Sequence, residues 1–199
     1  MNSFEQLPVV VVGAGGHAAV VVSSLLRIGV AILGATTRSG DEESAELGIP
    51  IIGDDSAIQK MESSKVVLVN GIGMTVPAKT TRHHAASRLR SLGFRFRPVL
   101  DPTAIVASGV EIKEGVQVLA GAVIQPRTII GTDTIVNTGA RIDHDCDIGP
   151  HCHVCPGATI TGNVKIGTGS LIGAGTIITP GVSVGENSMI RAGSLVDGR

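Results

Sequence analysis

The chain has no tryptophan, no tyrosine and only three phenylalanines among its 199 residues. A core without large rings has to be built from Val, Ile, Leu and Ala, which suits thin stacked layers better than a thick globule. Net charge is also lacking, at −1, so there is no broad basic face for a nucleic-acid backbone. Long apolar runs are missing: the stretch around Ala18 to Val22 falls far short of the ~20 residues that cross a bilayer. The opening MNSFEQLPVVVVGAGG has no basic segment before its apolar run, against the pattern of a secretory leader. Cysteine is scarce and odd in number, with Cys146, Cys152 and Cys155 close together, which argues against a secreted disulfide framework. Together these absences predict a cytoplasmic protein with neither a nucleic-acid partner nor a membrane span.

Glycine, by contrast, is abundant at 27 residues, and apolar residues reach 43 %. The first hundred residues alternate between strand and helix patterns. PVVVVGAGGHAAVVVSSLLRIG reads as a buried strand, a glycine turn and a helix with Ala19, Val22, Leu25 and Leu26 on one side. VAILGA and KVVLVNGIG are further strands too apolar to face water. PAKTTRHHAASRLRSLG is a helix opened by Pro77 and closed by Gly93. This order predicts a small parallel sheet with helices on its faces. Its crevice would lie at the strands' C-terminal ends, where Gly13 to Gly16 and Asn70 to Gly73 fall.

From Val106 the rule changes. Every sixth residue up to Val196 is Ile or Val, at sixteen positions of sixteen. Four residues after each sits a mostly small one, among them Ala122, Thr128, Thr134, Ala140, Cys146, Cys152, Ala158 and Ser170. A fixed period signals a solenoid, and a period of six gives short strands joined by turns with one branched side chain inward.

This pattern resembles the hexapeptide-repeat proteins, which wind as left-handed parallel β-helices of triangular section and commonly form trimers. The hand comes from that resemblance and not from the period. With three hexapeptides per turn, 106–196 holds about five coils, and residues one coil apart stack at ~4.8 Å. The expected organisation is a small Rossmann-like α/β domain at 1–98 and a left-handed parallel β-helix at 99–199.

The densest chemistry lies in RIDHDCDIGPHCHVCPG, residues 141–157. On the six-residue ruler Cys146 and Cys152 are inward filler, and Cys155 falls at a turn. A zinc site would need His144, His151 and His153, perhaps with Cys155, and ligands must converge on one point. Within one chain His144 and His153 are expected on opposite sides of the prism, so they could meet only across subunits.

IDHDCDIGPHCHVCPGATITGNVKIG resembles the nucleotide-sugar acyltransferases, a group with bacillosamine-type N-acetyltransferases and sialic acid O-acetyltransferases. VVVVGAGGHAAVV, LVNGIG and DPTAIVASGV extend the resemblance over nearly the whole chain. It implies acetyl-CoA as co-substrate, no metal, a nucleotide-linked amino sugar as acceptor and a role in bacterial surface glycan synthesis. It also implies a homotrimer with active sites between subunits. The family's His–acid pair falls on His144 and Asp145, with Asp where several relatives carry Glu. Its second histidine falls on His153, from a neighbouring chain near the thioester, and a polar active-site position falls on Asn137.

The chemistry suits these residues. An amine or hydroxyl attacking a thioester must lose a proton; an imidazole can take it and a carboxylate can orient that imidazole. The oxyanion needs donors, expected from backbone N–H groups at a glycine-lined turn. Gly162, one coil after His144, is expected with Gly173 and Ala174 to let the pantetheine arm approach.

In the N-terminal half, GAGGHA after a strand and before a helix fits a phosphate-binding turn. Gly13, Gly15, Gly16, His17, Thr36 and Gly71 are the expected substrate-binding residues. The second strand ends in Thr36, Thr37 and Arg38 without a carboxylate, which argues against NAD and leaves the nucleotide open. Alternatives are O-acetylation of a sialic-acid-like sugar, zinc-dependent carbonic anhydrase chemistry on the same scaffold, or assembly without catalysis. The ending SLVDGR, without the tail of many relatives, is expected to alter part of the CoA surface.

Overall fold

A computed structural model describes residues 6–37, 47–74 and 79–198. The chain divides into two compact units between Arg97 and Pro98. Arg38 and Pro77 lie outside the described residues. Among the described residues no helix is long and apolar enough to cross a membrane.

The first unit is built on a three-stranded parallel sheet. Strand β1 (Val9–Val12) lies between β2 (Ile32–Ala35) and β3 (Val67–Asn70). All four β1 valines and Val67, Leu68 and Val69 are buried, as their unbroken apolar runs require. Helix α1 (Gly16–Ile28) follows the glycine turn and buries Ala18, Val21, Val22, Ser24 and Leu25. The buried stripe is therefore rotated from the expected one: Leu26 is 56 % exposed and Val21 fully buried. The helix stops at Gly29, whose left-handed φ of 77° aims its N–H at the Leu25 and Leu26 carbonyls. A short helix, α2 (Asp55–Gln59), has no counterpart in the sequence pattern. Asp54 caps it by accepting the Ser56 N–H at 2.8 Å. Helix α3 (Lys79–Ser91) contributes Ala86 and Leu89 to a core that also holds Phe94 and Phe96.

The second unit is a parallel β-solenoid of about five coils. Seventeen two-residue strands, from β4 (Val99–Leu100) to β20 (Leu195–Val196), form three parallel sheets, the faces of a triangular section. Each strand pairs with the third strand after it, as Ile135 with His153, Arg141 with Thr159 and Asp147 with Lys165. The first face thus carries Ile135 and His153 outward, the second Arg141 and Thr159, the third Asp147 and Lys165. Between them run the periodic Ile and Val residues, fully or almost fully buried from Val118 to Ile178. At the ends Val106, Ile112, Ile190 and Val196 are only partly buried, each lacking a coil on one side.

The small inward positions also hold the turns. Thr128 Oγ1 donates to Asp143 O and Thr134 Oγ1 to Gly149 O, each at 2.8 Å. Cys146 and Cys152 make the same bond with sulfur, to Thr161 O at 3.1 Å and Gly167 O at 3.2 Å. These cysteines stand in for threonine and are more than filler. Burial raises the Cys146 thiol above its ordinary value, so it stays a neutral donor.

Candidate active site

The turn between the second and third faces recurs once per coil. Gly109, Arg127, Asp145, Asn163 and Gly181 succeed one another there, all left-handed, with φ of 61° at Arg127 and 59° at Asp145. Glycine and asparagine suit that backbone, aspartate tolerates it, and an arginine is unusual. His144 precedes Asp145 on this corner, its N–H held by Asp143 Oδ1 at 2.8 Å.

His144 Nδ1 lies 2.6 Å from Asp145 Oδ2. An ionised carboxylate only accepts, so Nδ1 is the donor and the Nε2 lone pair is left as the base. Asp145 is also gripped by Arg127, Nε on Oδ1 at 2.6 Å and Nη2 on Oδ2 at 2.7 Å. Arg127 first, then His144, hold the Asp145 carboxyl well below the usual carboxylate range. Asp145 in turn raises the Arg127 guanidinium. Both partners stay charged together.

Gly162 lies against this imidazole. A β-carbon there would come within 2.8 Å of His144 Cε1 and 3.0 Å of Nε2. Position 162 therefore has no room for a side chain, and the imidazole needs the glycine beside it. Among the described residues the Gly162 N–H has no hydrogen-bond partner. Gly173 serves packing: a β-carbon would meet Arg191 C at 2.6 Å in the next coil, while Ala174 is exposed and accepts from Gly193 N.

Asn137 does not join His144. Its Nδ2 lies 3.0 Å from His153 Nε2. Its Oδ1 accepts from Thr138 N at 2.7 Å, which fixes the amide's orientation. Nδ2 therefore donates, and His153 is a neutral ring with its proton on Nδ1. His153 is only 9 % exposed and sits on the first face, opposite the corner that carries His144. One chain does not bring the two histidines together. His151, on the third corner, faces the buried Asp133 at 3.6 Å. Among the described residues no three His, Cys, Asp or Glu side chains gather closely enough to hold a metal ion.

In the first unit, Gly13, Gly15, Gly16 and His17 gather at the C-terminal end of β1 and the start of α1, with Gly71 at the end of β3. A β-carbon on Gly71 would come within 2.8 Å of Ala18 Cβ and Val11 Cγ1, so the loop admits only glycine. Gly15 and Gly16 face open space. Thr36 is fully buried; its hydroxyl accepts from Gly13 N at 3.2 Å and donates to Asp55 Oδ1 at 3.1 Å. Asp55 of α2 thus lies beside the end of the second strand, where Arg88 pairs with it.

The solenoid residues 163–198 match the bacterial transferase hexapeptide (six repeats) family, and residues 8–89 match the PglD N-terminal domain. A histidine-to-asparagine variant of perosamine N-acetyltransferase from Caulobacter crescentus, in complex with CoA and GDP-perosamine, is 34 % identical. The similarity covers 96 % of this chain and 88 % of that one, with a TM-score of 0.87. The chain belongs to the hexapeptide-repeat nucleotide-sugar acetyltransferases. The acetyltransferase domain of PglB from Neisseria gonorrhoeae is 28 % identical over 96 % and 91 % of the two chains, with a TM-score of 0.87. WeeI from Acinetobacter baumannii, 21 % identical over 96 % and 97 % with a TM-score of 0.75, shares the fold.

Sequence reasoning misses three residues of this acetyltransferase. Arg127 lies one coil before Asp145, a spacing that becomes legible once the corner is drawn. Asp55 reaches the end of β2 only through the short α2. Arg82 of α3, 3 % exposed, donates Nη1 to Asn70 O at 2.9 Å and Ile72 O at 2.6 Å, holding the loop after β3.

Proposed function

We propose that this acetyltransferase moves an acetyl group from acetyl-CoA to the amine of a nucleotide-linked 4-amino-dideoxy sugar, in the cytoplasm, for bacterial surface glycans. The observation that carries this is the exposed His144–Asp145 pair beside Gly162, in a chain so similar to an enzyme crystallised with CoA and GDP-perosamine. The amine nitrogen attacks the thioester carbonyl as His144 Nε2 takes its proton, and Asp145 steadies the imidazolium. The Gly162 N–H is the donor assigned to the oxyanion. Collapse breaks the C–S bond, and the CoA sulfur leaves with the proton.

Asn137 acts through His153, which a neighbouring chain of a homotrimer brings near the thioester; Gly173 and Ala174 border the CoA path. Gly13, Gly15, Gly16, His17 and Gly71 hold the nucleotide diphosphate against the start of α1, and Thr36 supports them from below. The trimer is supported by the second face, whose outward Ile105, Ile177 and Leu195 are 64 %, 48 % and 65 % exposed.

A panel of UDP-, GDP- and dTDP-linked 4-amino sugars with acetyl-CoA, read by thiol release and NMR of the product, tests the reading. An amide product on one of them is expected. An ester on a hydroxyl sugar, or stoichiometric zinc with carbon dioxide hydration, would replace it.

A further inference from the structure

The strained corner beside His144 carries a residue with no conformational reason to be there. In other coils of the solenoid, this turn is made by Gly109, Asn163 and Gly181, residue types that take left-handed backbone readily. Arg127 takes it at φ 61°, which a bulky side chain adopts only when something else holds it. What holds it is a two-bond fork on Asp145, at 2.6 and 2.7 Å. Fold stability does not explain the pair, because Arg127 is 68 % and Asp145 38 % exposed, and such surface bridges contribute little.

We propose that Arg127 is a positioning residue, which clamps Asp145 against His144 Nδ1 and so reserves Nε2 as the base. The inference rests on the reading of His144 as the base. Asp145 Oδ2 receives both Arg127 Nη2 and His144 Nδ1, so the guanidinium fixes the atom that fixes the imidazole. It also offsets part of the negative charge the imidazole faces. The charged groups around His144 are Asp143 and Asp145 on its own turn and Arg127 in the coil before; the coil after brings Gly162 and Asn163, both uncharged.

Arg127→Asn removes the fork while keeping a residue this corner already accepts at 163, and Arg127→Gly repeats the test with the residue found at 109 and 181. Both should melt no lower than wild type, since each relieves the left-handed strain at this corner. kcat should fall about tenfold with little change in KM, the scale on which a histidine's outer partner is felt. Without the offsetting cation the imidazole faces a bare carboxylate, which favours its protonated form. The acidic limb of the rate profile should then move to higher pH. The ¹⁵N spectrum of the free protein should lose part of the His144 Nδ1–H tautomer signature. Arg127→Lys keeps the charge without the fork, and should restore the profile more than kcat. Wild-type kcat, rate profile and imidazole spectrum in both the Asn and Gly variants would overturn the inference. A changed spectrum with unchanged kcat would uphold the clamp and instead overturn the reading of His144 as base.

Discussion

At His144 the decisive neighbour is an absent atom. The imidazole occupies the space that a Gly162 β-carbon would need, 2.8 Å from Cε1. Gly162→Ala should therefore push the ring off Asp145 and lower kcat by about a hundredfold, the scale of one general base, while the melting temperature stays close to wild type. Circular dichroism with steady-state kinetics checks this; an alanine variant at full rate would show that the ring position is immaterial. How the site residues read from sequence depends on the ruler used. His144 and Asp145 are adjacent and stand out as a motif. Arg127 is hidden because its contact runs across a coil. Asn137, expected at a polar active-site position, lies against His153, the outward residue of the next strand on its own face. Thr36 reads as a ligand contact because strand ends usually are, yet it is buried beneath the loop it supports.

At the scale of the coil, two kinds of glycine hold the solenoid, and they fail differently. Gly167 has no room: a β-carbon would meet Glu186 N at 2.5 Å in the next coil. Gly157 has open space around it but a φ of 67°. Gly167→Ala should open the stack and lower the melting temperature by several degrees, the effect of about 2 kcal/mol in a chain of this size. Gly157→Asn should cost far less, because asparagine already makes left-handed corners at 163 and 187. Thermal denaturation of the two variants separates them, and equal losses would contradict the distinction. The strands themselves are legible from the sixteen-fold repeat, since one inward branched residue per hexapeptide is what each two-residue strand supplies. The turn conformations are less so, because Arg, Asp and His at left-handed corners carry no local signal. In the first unit the strands and the two long helices read clearly. Helix α2 does not, being too short to show apolar periodicity.

At the scale of the molecule, one chain places His144 on a corner and His153 on the face opposite, so a site using both needs a second chain. The exposed aliphatic residues of the second face are the surface assigned to that contact. Ile177→Glu, on an outward position 48 % exposed, should leave the solenoid folded, convert the proposed trimer to monomer in light scattering, and abolish turnover. Full activity in such a monomer would place the whole site within one chain. The central claim, that an imidazole at this corner drives acetyl transfer, is met most directly by comparing wild type with His144→Ala. The measurement is thiol release from acetyl-CoA with the preferred nucleotide-linked amino sugar at saturation. The account predicts release that requires the amino sugar and falls by about 10² to 10⁴ in the variant; undiminished release from His144→Ala would contradict it.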